Sequence, residues 1–373
     1  MSERNIVARF FAAVWRGANG FRKVLHLLLL LFIFAAFFGA MSAGQPSLPK
    51  QAALLIQPTG ALVEQLEGDP FDRALAEALG DAPLQTRVQD VVDALEYARE
   101  DDRIKVVHLE LSRFGGGSLD KLRRVANALD AFRESGKPVI ASGDFLLQQA
   151  YYLGVHADEL YMHPEGILFL QGYGAYRNYF KDAIDLLKVD WNIFRVGTHK
   201  SAVEPYMRMD MSPEDRAARS NYIEQLWSMY QQDVVAARGL EDGALASYSN
   251  NLVERIAAAG GDSATAAHDN GLIDGLMTRI ELQDRIREYA GNDKDDESLY
   301  AAVSMDEYID SKRILKGDMP KDSNVAVVIA AGEILDGRQS PGTIGGDSTS
   351  ALLRQALNDE SVKAVVLRVD SPG

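Results

Sequence analysis

The stretch Asp101-Asp-Arg-Ile-Lys-Val-Val-His-Leu-Glu-Leu-Ser-Arg-Phe-Gly115 decides the fold, because the chain contains the same pattern twice. It aligns without a gap on Asp359-Glu-Ser-Val-Lys-Ala-Val-Val-Leu-Arg-Val-Asp-Ser-Pro-Gly373, at a constant offset of 258 residues. In both places an apolar run ends in a turn, which is typical of a buried strand. The strands before them align as well, with Gly60 on Gly332. The sequence therefore predicts a tandem duplication with an incomplete second copy.

Strands and helices alternate outward from this stretch. Repeated βαβ units favour an α/β fold with a largely parallel sheet. A helix that starts near Arg87 should bury Val88, Val91, Val92, Leu95 and Ala98, and Ser212 with Pro213 predicts the start of a second, longer helix. The predicted strands are 52–56, 104–111, 137–142, 159–162 and 189–196, and the predicted helices between them include 145–154 and 179–188.

The N-terminus carries a basic segment followed by a long apolar run. Residues 1–23 hold five basic residues and one acid, and residues 24–43 are almost entirely apolar, enough to cross a bilayer. The positive-inside rule then places the N-terminus in the cytoplasm and the bulk of the protein on the other side. A cleaved signal peptide is the alternative, with Ala40 and Ser42 as small residues near a cleavage site.

The chain divides at changes in composition. We expect a cytoplasmic basic segment at 1–23, a transmembrane anchor at 24–43, a first copy at 44–300, a polar connection at 301–323 and the start of the second copy at 324–373.

Composition excludes several classes of function. The chain has no cysteine, which removes thiol nucleophiles, disulfides and thiolate metal sites. Its net charge of −15 speaks against nucleic-acid binding. The six histidines never occur at a zinc-binding spacing, and Gly115-Gly-Gly117 lacks the lysine of a phosphate-binding loop, so it predicts a tight turn. We therefore expect no metal and no cofactor.

One lysine has a position that suits chemistry. Lys200 follows the predicted strand 189–196 and a glycine turn, where the loops at a sheet edge often carry function. A lysine acts as a base only when it is neutral, and desolvation or nearby positive charge favours that form. Spacing alone leaves an ordinary surface lysine as the simpler interpretation.

The surrounding residues resemble a known family. Gly197-Thr-His-Lys-Ser-Ala-Val-Glu-Pro205, followed by Met211-Ser-Pro-Glu214, is similar to the segment around the lysine base of the signal peptide peptidase A (protease IV) family, in its long bacterial type. Further matching segments are Gly136-Lys-Pro-Val139, Tyr151-Tyr-Leu-Gly154, Ala330-Ala-Gly-Glu-Ile-Leu-Asp-Gly337, Gly345-Gly-Asp347 and Leu367-Arg-Val-Asp-Ser-Pro-Gly373.

The resemblance implies a fold and a mechanism. The fold would be crotonase/ClpP-like, with repeated βαβ units in two tandem copies after one N-terminal transmembrane helix. The catalytic dyad would be split, with Lys200 as the base in the first copy and a serine in the second. In the first copy the family's serine position is occupied by Gln148, which has no attacking hydroxyl. The family also implies a homo-oligomer, a tetramer, in the inner membrane with its bulk in the periplasm, which degrades signal-peptide remnants and other hydrophobic peptides.

The resemblance places the nucleophilic serine beyond Gly373, so we expect the 373 residues alone to be inactive, and Gly373 would begin a turn near the oxyanion hole. Two other classes remain open. One is a non-catalytic membrane scaffold derived from the protease. The other is a crotonase-like acyl-CoA enzyme, which the membrane anchor disfavours.

Overall fold

A computed structural model describes residues 3–42, 48–80, 83–316 and 323–371, and divides the chain into two compact units, residues 1–48 and 49–373. The first unit holds helix α1, Glu3–Ser42, within which Trp15–Ala35 is long and apolar enough to cross a membrane. The predicted anchor at 24–43 therefore lies within this helix, except that residue 43 lies outside the described residues.

The second unit contains thirteen helices and thirteen strands among its described residues. The helices are α2 Pro70–Leu79, α3 Val88–Arg99, α4 Leu119–Arg133, α5 Gln148–Gly154, α6 Lys181–Leu187, α7 Glu204–Met207, α8 Pro213–Arg238, α9 Ala244–Asn250, α10 Leu252–Ala258, α11 Ser263–Asp269, α12 Arg279–Ala290, α13 Met305–Lys316 and α14 Gly346–Asn358. The strands are β1 Ala52–Ile56, β2 Gly60–Val63, β3 Gln85–Arg87, β4 Ile104–Glu110, β5 Phe114–Gly116, β6 Val139–Leu147, β7 Glu159–Phe169, β8 Gly275–Leu276, β9 Ala302–Ser304, β10 Asn324–Ala331, β11 Glu333–Leu335, β12 Thr343–Gly345 and β13 Val362–Asp370.

The main sheet has the parallel order β8-β7-β6-β4-β1-β9. Its central strands are buried on both faces, as expected of a parallel sheet covered by crossover helices. Helix α3 buries four of the five predicted residues together with Ala94, while Val92 is half-buried. The predicted α/β class and its βαβ units are thus confirmed.

A second, three-stranded sheet has the order β3-β2-β5 and depends on a close backbone approach at one glycine. Gly60 has a φ of +61°, and a Cβ there would lie 1.8 Å from the Leu84 carbonyl oxygen. Only glycine fits this close approach without strain. Gly115 and Gly116 lie in β5, where Gly115 packs beside Gly60 and Gly116 pairs with Ala61, so the tight turn predicted at 115–117 is instead a short strand at its first two positions.

The start of the second copy repeats the start of the first. Strands β10 and β13 pair in parallel as β1 and β4 do, and both pairs have a register irregularity after the first residue, Asn324 in one and Ala52 in the other. Strands β11 and β12 pair as β2 and β3 do. Gly332 has a φ of +97°, and a Cβ there would lie 2.0 Å from the Gly342 carbonyl oxygen, which matches the turn at Gly60. The duplication is therefore visible in the backbone.

The main difference between the copies is one connection. Twenty-one residues, including α2, separate Val63 from Gln85, whereas seven separate Leu335 from Thr343. The alignment offset consequently changes between these strands, and α14 and β13 return to the offset of the quoted stretch.

Several predicted boundaries are wrong. Strands β6 and β7 extend past their predicted ends at residues 142 and 162, and two further differences concern a helix start and the polar connection. The helix expected from Phe145 begins at Gln148, because residues 145–147 continue β6 and pair with β7. The polar connection expected at 301–323 is folded where it is described, because β9 adds an edge strand beside β1 and α13 buries Tyr308 and Ile309.

Candidate catalytic lysine and its surroundings

Lys200 lies in an irregular segment between α6 and α7, and its side chain is exposed. The strand predicted at 189–196 does not form. Phe194 and Val196 are 96% and 90% exposed, so the apolar pattern that suggested a buried strand faces solvent. A strand needs a neighbour for its backbone groups, and the described main sheet ends at β8 and β9 without using this segment. The prediction that Lys200 follows a sheet strand is therefore wrong.

Two arginines hold the backbone around Lys200. Arg195 donates from Nη1 to the Lys200 carbonyl oxygen at 3.1 Å, and Arg177 donates from Nη1 to the Ser201 carbonyl oxygen at 2.9 Å. Gly197 supplies the turn before the lysine, with a φ of +101°. These contacts fix the loop where secondary structure is lacking, and they place two positive charges on the lysine segment.

A buried carboxylate ties this segment to helix α8. Glu204 is 1% exposed, accepts from the Ser212 backbone N–H at 3.1 Å and lies 4.0 Å from Arg195 Nη1. Ser212 caps α8 by accepting from the Asp215 backbone N–H, which confirms the predicted helix start. Burial acts to raise the pKa of Asp215, but hydrogen bonds from Arg219 and Ser201 outweigh it and lower that pKa. The backbone around Lys200 is thus well anchored, although the Lys200 side chain is exposed.

Gln148 occupies the position at which the resemblance expects a serine. It is 3% exposed, its Oε1 accepts from the Gly172 backbone N–H at 2.7 Å, and its carbonyl oxygen accepts from the Tyr230 hydroxyl at 2.8 Å. Gln149 packs against Gly116, where a Cβ would lie 3.4 Å from Gln149 Cγ. Gln148 is thus held by the segment after β7 and by α8, and the half-buried Gln149 packs against β5.

Helix α8 contacts both regions. Its start holds Glu204 through Ser212, and its middle reaches Gln148 through Tyr230. Helix α8 therefore links the lysine segment to the position of Gln148. Among the described residues, no hydrogen bond joins the Lys200 side chain to a hydroxyl of the first copy.

Comparison with known proteins shows that part of the chain is similar to a peptidase family. The sequence model of peptidase family S49 matches residues 131–292, which include Gln148, Lys200 and helix α8. Protease 4 of Salmonella typhi is 36% identical over 377 aligned residues, covering 98% of this chain and 60% of that protein. Protease 4 of Haemophilus influenzae is 33% identical, covering 94% of this chain and 58% of that protein. Over residues 131–292 the chain is similar to peptidase family S49.

The chain spans about 60% of the length of the curated relatives it matches. Among solved structures, an enoyl-CoA hydratase from Mycobacterium avium subsp. paratuberculosis is 14% identical and covers 60% of this chain with a TM-score of 0.24.

The sequence analysis missed several groups near Lys200 and inside the main sheet. Arg177, Arg195 and Glu204 position the lysine segment, and only Glu204 stood within a recognised motif. His108 was visible as a histidine inside an apolar strand, but nothing in the sequence showed that it meets Ser142 and Tyr300. Within the residues that the structure describes, no group of three or more histidines and carboxylates could hold a metal ion.

Proposed function

We propose that this chain supplies the base of a membrane-anchored serine endopeptidase that uses a Ser/Lys dyad, with Lys200 as general base and the nucleophilic serine in the second copy. The observation that carries the proposal is the setting of Lys200, which lies inside the S49 match on a segment held by Arg177, Arg195 and Glu204. The identity to two proteins called Protease 4 supports the peptidase activity. Gln148, which has no attacking hydroxyl, occupies the position at which the resemblance expects a serine, and this supports a nucleophile outside the first copy.

Because Lys200 is exposed, it can act as a general base only if its surroundings change. A general base must be neutral when it takes a proton, and an ammonium group in water stays charged at neutral pH. Lys200 is flanked by exposed apolar side chains, among them Phe194, Val196 and Trp191. We infer that another protein surface covers this segment and desolvates the lysine. The rest of the second copy, or a neighbouring subunit of a homo-oligomer, is the surface we propose.

The reaction is peptide hydrolysis through an acyl-enzyme. Neutral Lys200 accepts the proton of the serine hydroxyl as the oxygen attacks the scissile carbonyl, and returns it to the leaving amine. Water then attacks the ester while Lys200 takes a proton from it, and Lys200 returns that proton to the serine oxygen as the carboxylic acid leaves. The chemistry uses no metal and no organic cofactor.

The proposed substrates are signal-peptide remnants and similar hydrophobic peptides. Helix α1 supports an anchor in the inner membrane, since Trp15–Ala35 has the length and composition of a membrane span. The basic residues before the apolar run favour a cytoplasmic N-terminus and a periplasmic body.

The test measures peptidase activity in a protein that contains both copies in full. Lys200→Ala should lower kcat by at least about 100-fold, because a positioned general base contributes on that scale. Lys188→Asn is the matched control, since Lys188 is an exposed lysine of the same segment with a φ of 56°, a conformation that asparagine tolerates. Full activity of the Lys200→Ala protein would refute the assignment. We expect no activity from the 373 residues alone.

A further inference from the structure

Three polar side chains from distant parts of the sequence form a continuous chain of hydrogen bonds inside the main sheet. His108 Nε2 lies 2.8 Å from Ser142 Oγ, and His108 Nδ1 lies 2.7 Å from the Tyr300 hydroxyl. His108 belongs to β4, Ser142 to β6, and Tyr300 lies two residues before the start of β9.

The alternation of side chains along the strands explains why they meet. Val106 and Ile140 lie in an apolar cluster with Ile286 and Ala290 of α12. Side chains two residues apart in a strand share a face of the sheet, so His108 and Ser142 lie on the same face as this cluster, one step farther along. A polar layer thus follows an apolar layer beneath α12.

The polar layer opens into a cavity. Ser142 and His108 are only 6% and 5% exposed, yet both line a cavity of about 320 Å³. Met162, Met277 and Leu282 give it an apolar wall, and Arg113 also lines it. None of its lining residues belongs to the Lys200 segment, to α8 or to the Gln148 region. The cavity is therefore separate from the site proposed above.

The arrangement has the signature of a nucleophile with an oriented base. Such a pair needs a hydroxyl within hydrogen-bond reach of the base and a third group that fixes the base. We propose that Ser142 and His108, oriented by Tyr300, form a second acyl-accepting site that reacts with small esters. Tyr300 acts as a positioning residue, because accepting the Nδ1–H of His108 leaves the Nε2 lone pair for Ser142.

The step is an ordinary acyl transfer. Ser142 Oγ attacks the ester carbonyl while His108 Nε2 takes the hydroxyl proton, so that a C–O bond forms and the carbonyl oxygen becomes an oxyanion inside the cavity. The bond to the leaving group then breaks, and the alcohol departs with the proton from His108. Water hydrolyses the acyl-serine through the same groups.

The surroundings of His108 determine the expected kinetics. Burial lowers the pKa of His108 to about 4, against a smaller opposing effect of Glu110, so the imidazole is unprotonated at neutral pH. The same burial makes its protonated form costly, and the third group is a neutral phenol rather than a carboxylate. We therefore expect one fast acylation per chain followed by slow turnover.

The experiment treats the whole chain, purified in detergent, with p-nitrophenyl acetate. The expected result is a burst of about one equivalent of nitrophenolate, with the acetyl group found on Ser142 by peptide mapping of the unaltered protein. Ser142→Ala and His108→Asn should abolish the burst, and Tyr300→Phe should slow it by about tenfold. Ser220→Ala is the matched control, because Ser220 is an exposed serine of α8 outside this cavity, and it should leave the burst unchanged.

Two results would overturn the proposal: an unaltered protein that gains no acetyl group on Ser142, or a burst that survives in a folded Ser142→Ala protein. Mapping of the unaltered protein does not depend on whether any variant folds. Lys200→Ala should acylate normally at Ser142, which separates this site from the proposed peptidase site.

Discussion

The two copies use nearly the same sequence pattern and differ in how much of it is buried. In the first copy β4 lies at the centre of a six-stranded sheet, and Leu109 is fully buried. In the second, β13 pairs only with β10 among the described strands, and the aligned Leu367 is 48% exposed. An apolar strand pattern therefore specifies the strand and its first partner, while burial depends on the elements that come later in the fold.

The largest expected effect comes from truncating this aligned pair. Leu109→Ala should lower the free energy of unfolding by about 2–5 kcal/mol, because it opens a cavity in a closed core. Leu367→Ala should cost less than about 1 kcal/mol, because half of that side chain is already in water. Denaturant unfolding of the two variants measures the difference. Equal losses would mean that the second copy is as well packed as the first.

The next effect tests whether the copies share their turn. Gly60→Ala and Gly332→Ala should each destabilise by about 1–3 kcal/mol, since both glycines have a positive φ and a carbonyl oxygen within 2 Å of the missing Cβ. Gly136→Ala is a control with a φ of +78° and no atom within 4 Å of the added carbon. A cost at Gly332 no greater than at Gly136 would show that the close approach at the second turn is absent in solution.

The smallest effect concerns the aligned aspartates that precede the two strands. Burial acts to raise the pKa of Asp101, but hydrogen bonds from Arg103 and Lys312 outweigh it and hold that pKa well below its usual range. A lowered pKa contributes stability above the unfolded value of about 4, and this contribution is lost as the pH falls below it. Asp101→Asn should therefore cost about 1 kcal/mol at neutral pH and flatten the acid side of the stability curve.

Asp359→Asn serves as the matched control for that measurement. Asp359 accepts hydrogen bonds from Ser361, its close neighbour in the chain. Its replacement should change the acid side less than Asp101→Asn does. An acid profile unchanged by Asp101→Asn would contradict the role of the Lys312 pair.

The parts of the fold that sequence predicted are those with local signals. Helix α3, strand β4 and the cap at Ser212 follow from periodicity and capping residues, and the internal alignment predicted β10 and β13. Strand β9 was missed because it has three residues within a polar stretch, and its place beside β1 is a tertiary contact.

The candidate site shows the same division. Lys200 was found through a motif, but the irregular segment before it was not, since the residues of 189–196 have a strand-like pattern and lack a partner strand in the described structure. The contact of His108 with Tyr300 joins residues 192 positions apart, which no local pattern records.

Amine labelling of Lys200 tests the central claim most directly, namely that its segment is exposed in the first copy and covered when the second copy is complete. Acetic anhydride would be applied in trace amounts to this chain and to a protein with both full copies, with exposed Lys294 as internal reference. Labelling is done above about pH 10.4, where exposed lysines are also largely neutral, so that access decides the rate. The account predicts that Lys200 labels about as fast as Lys294 in the first sample and several-fold more slowly in the second. Equal relative labelling of Lys200 in both samples would contradict it.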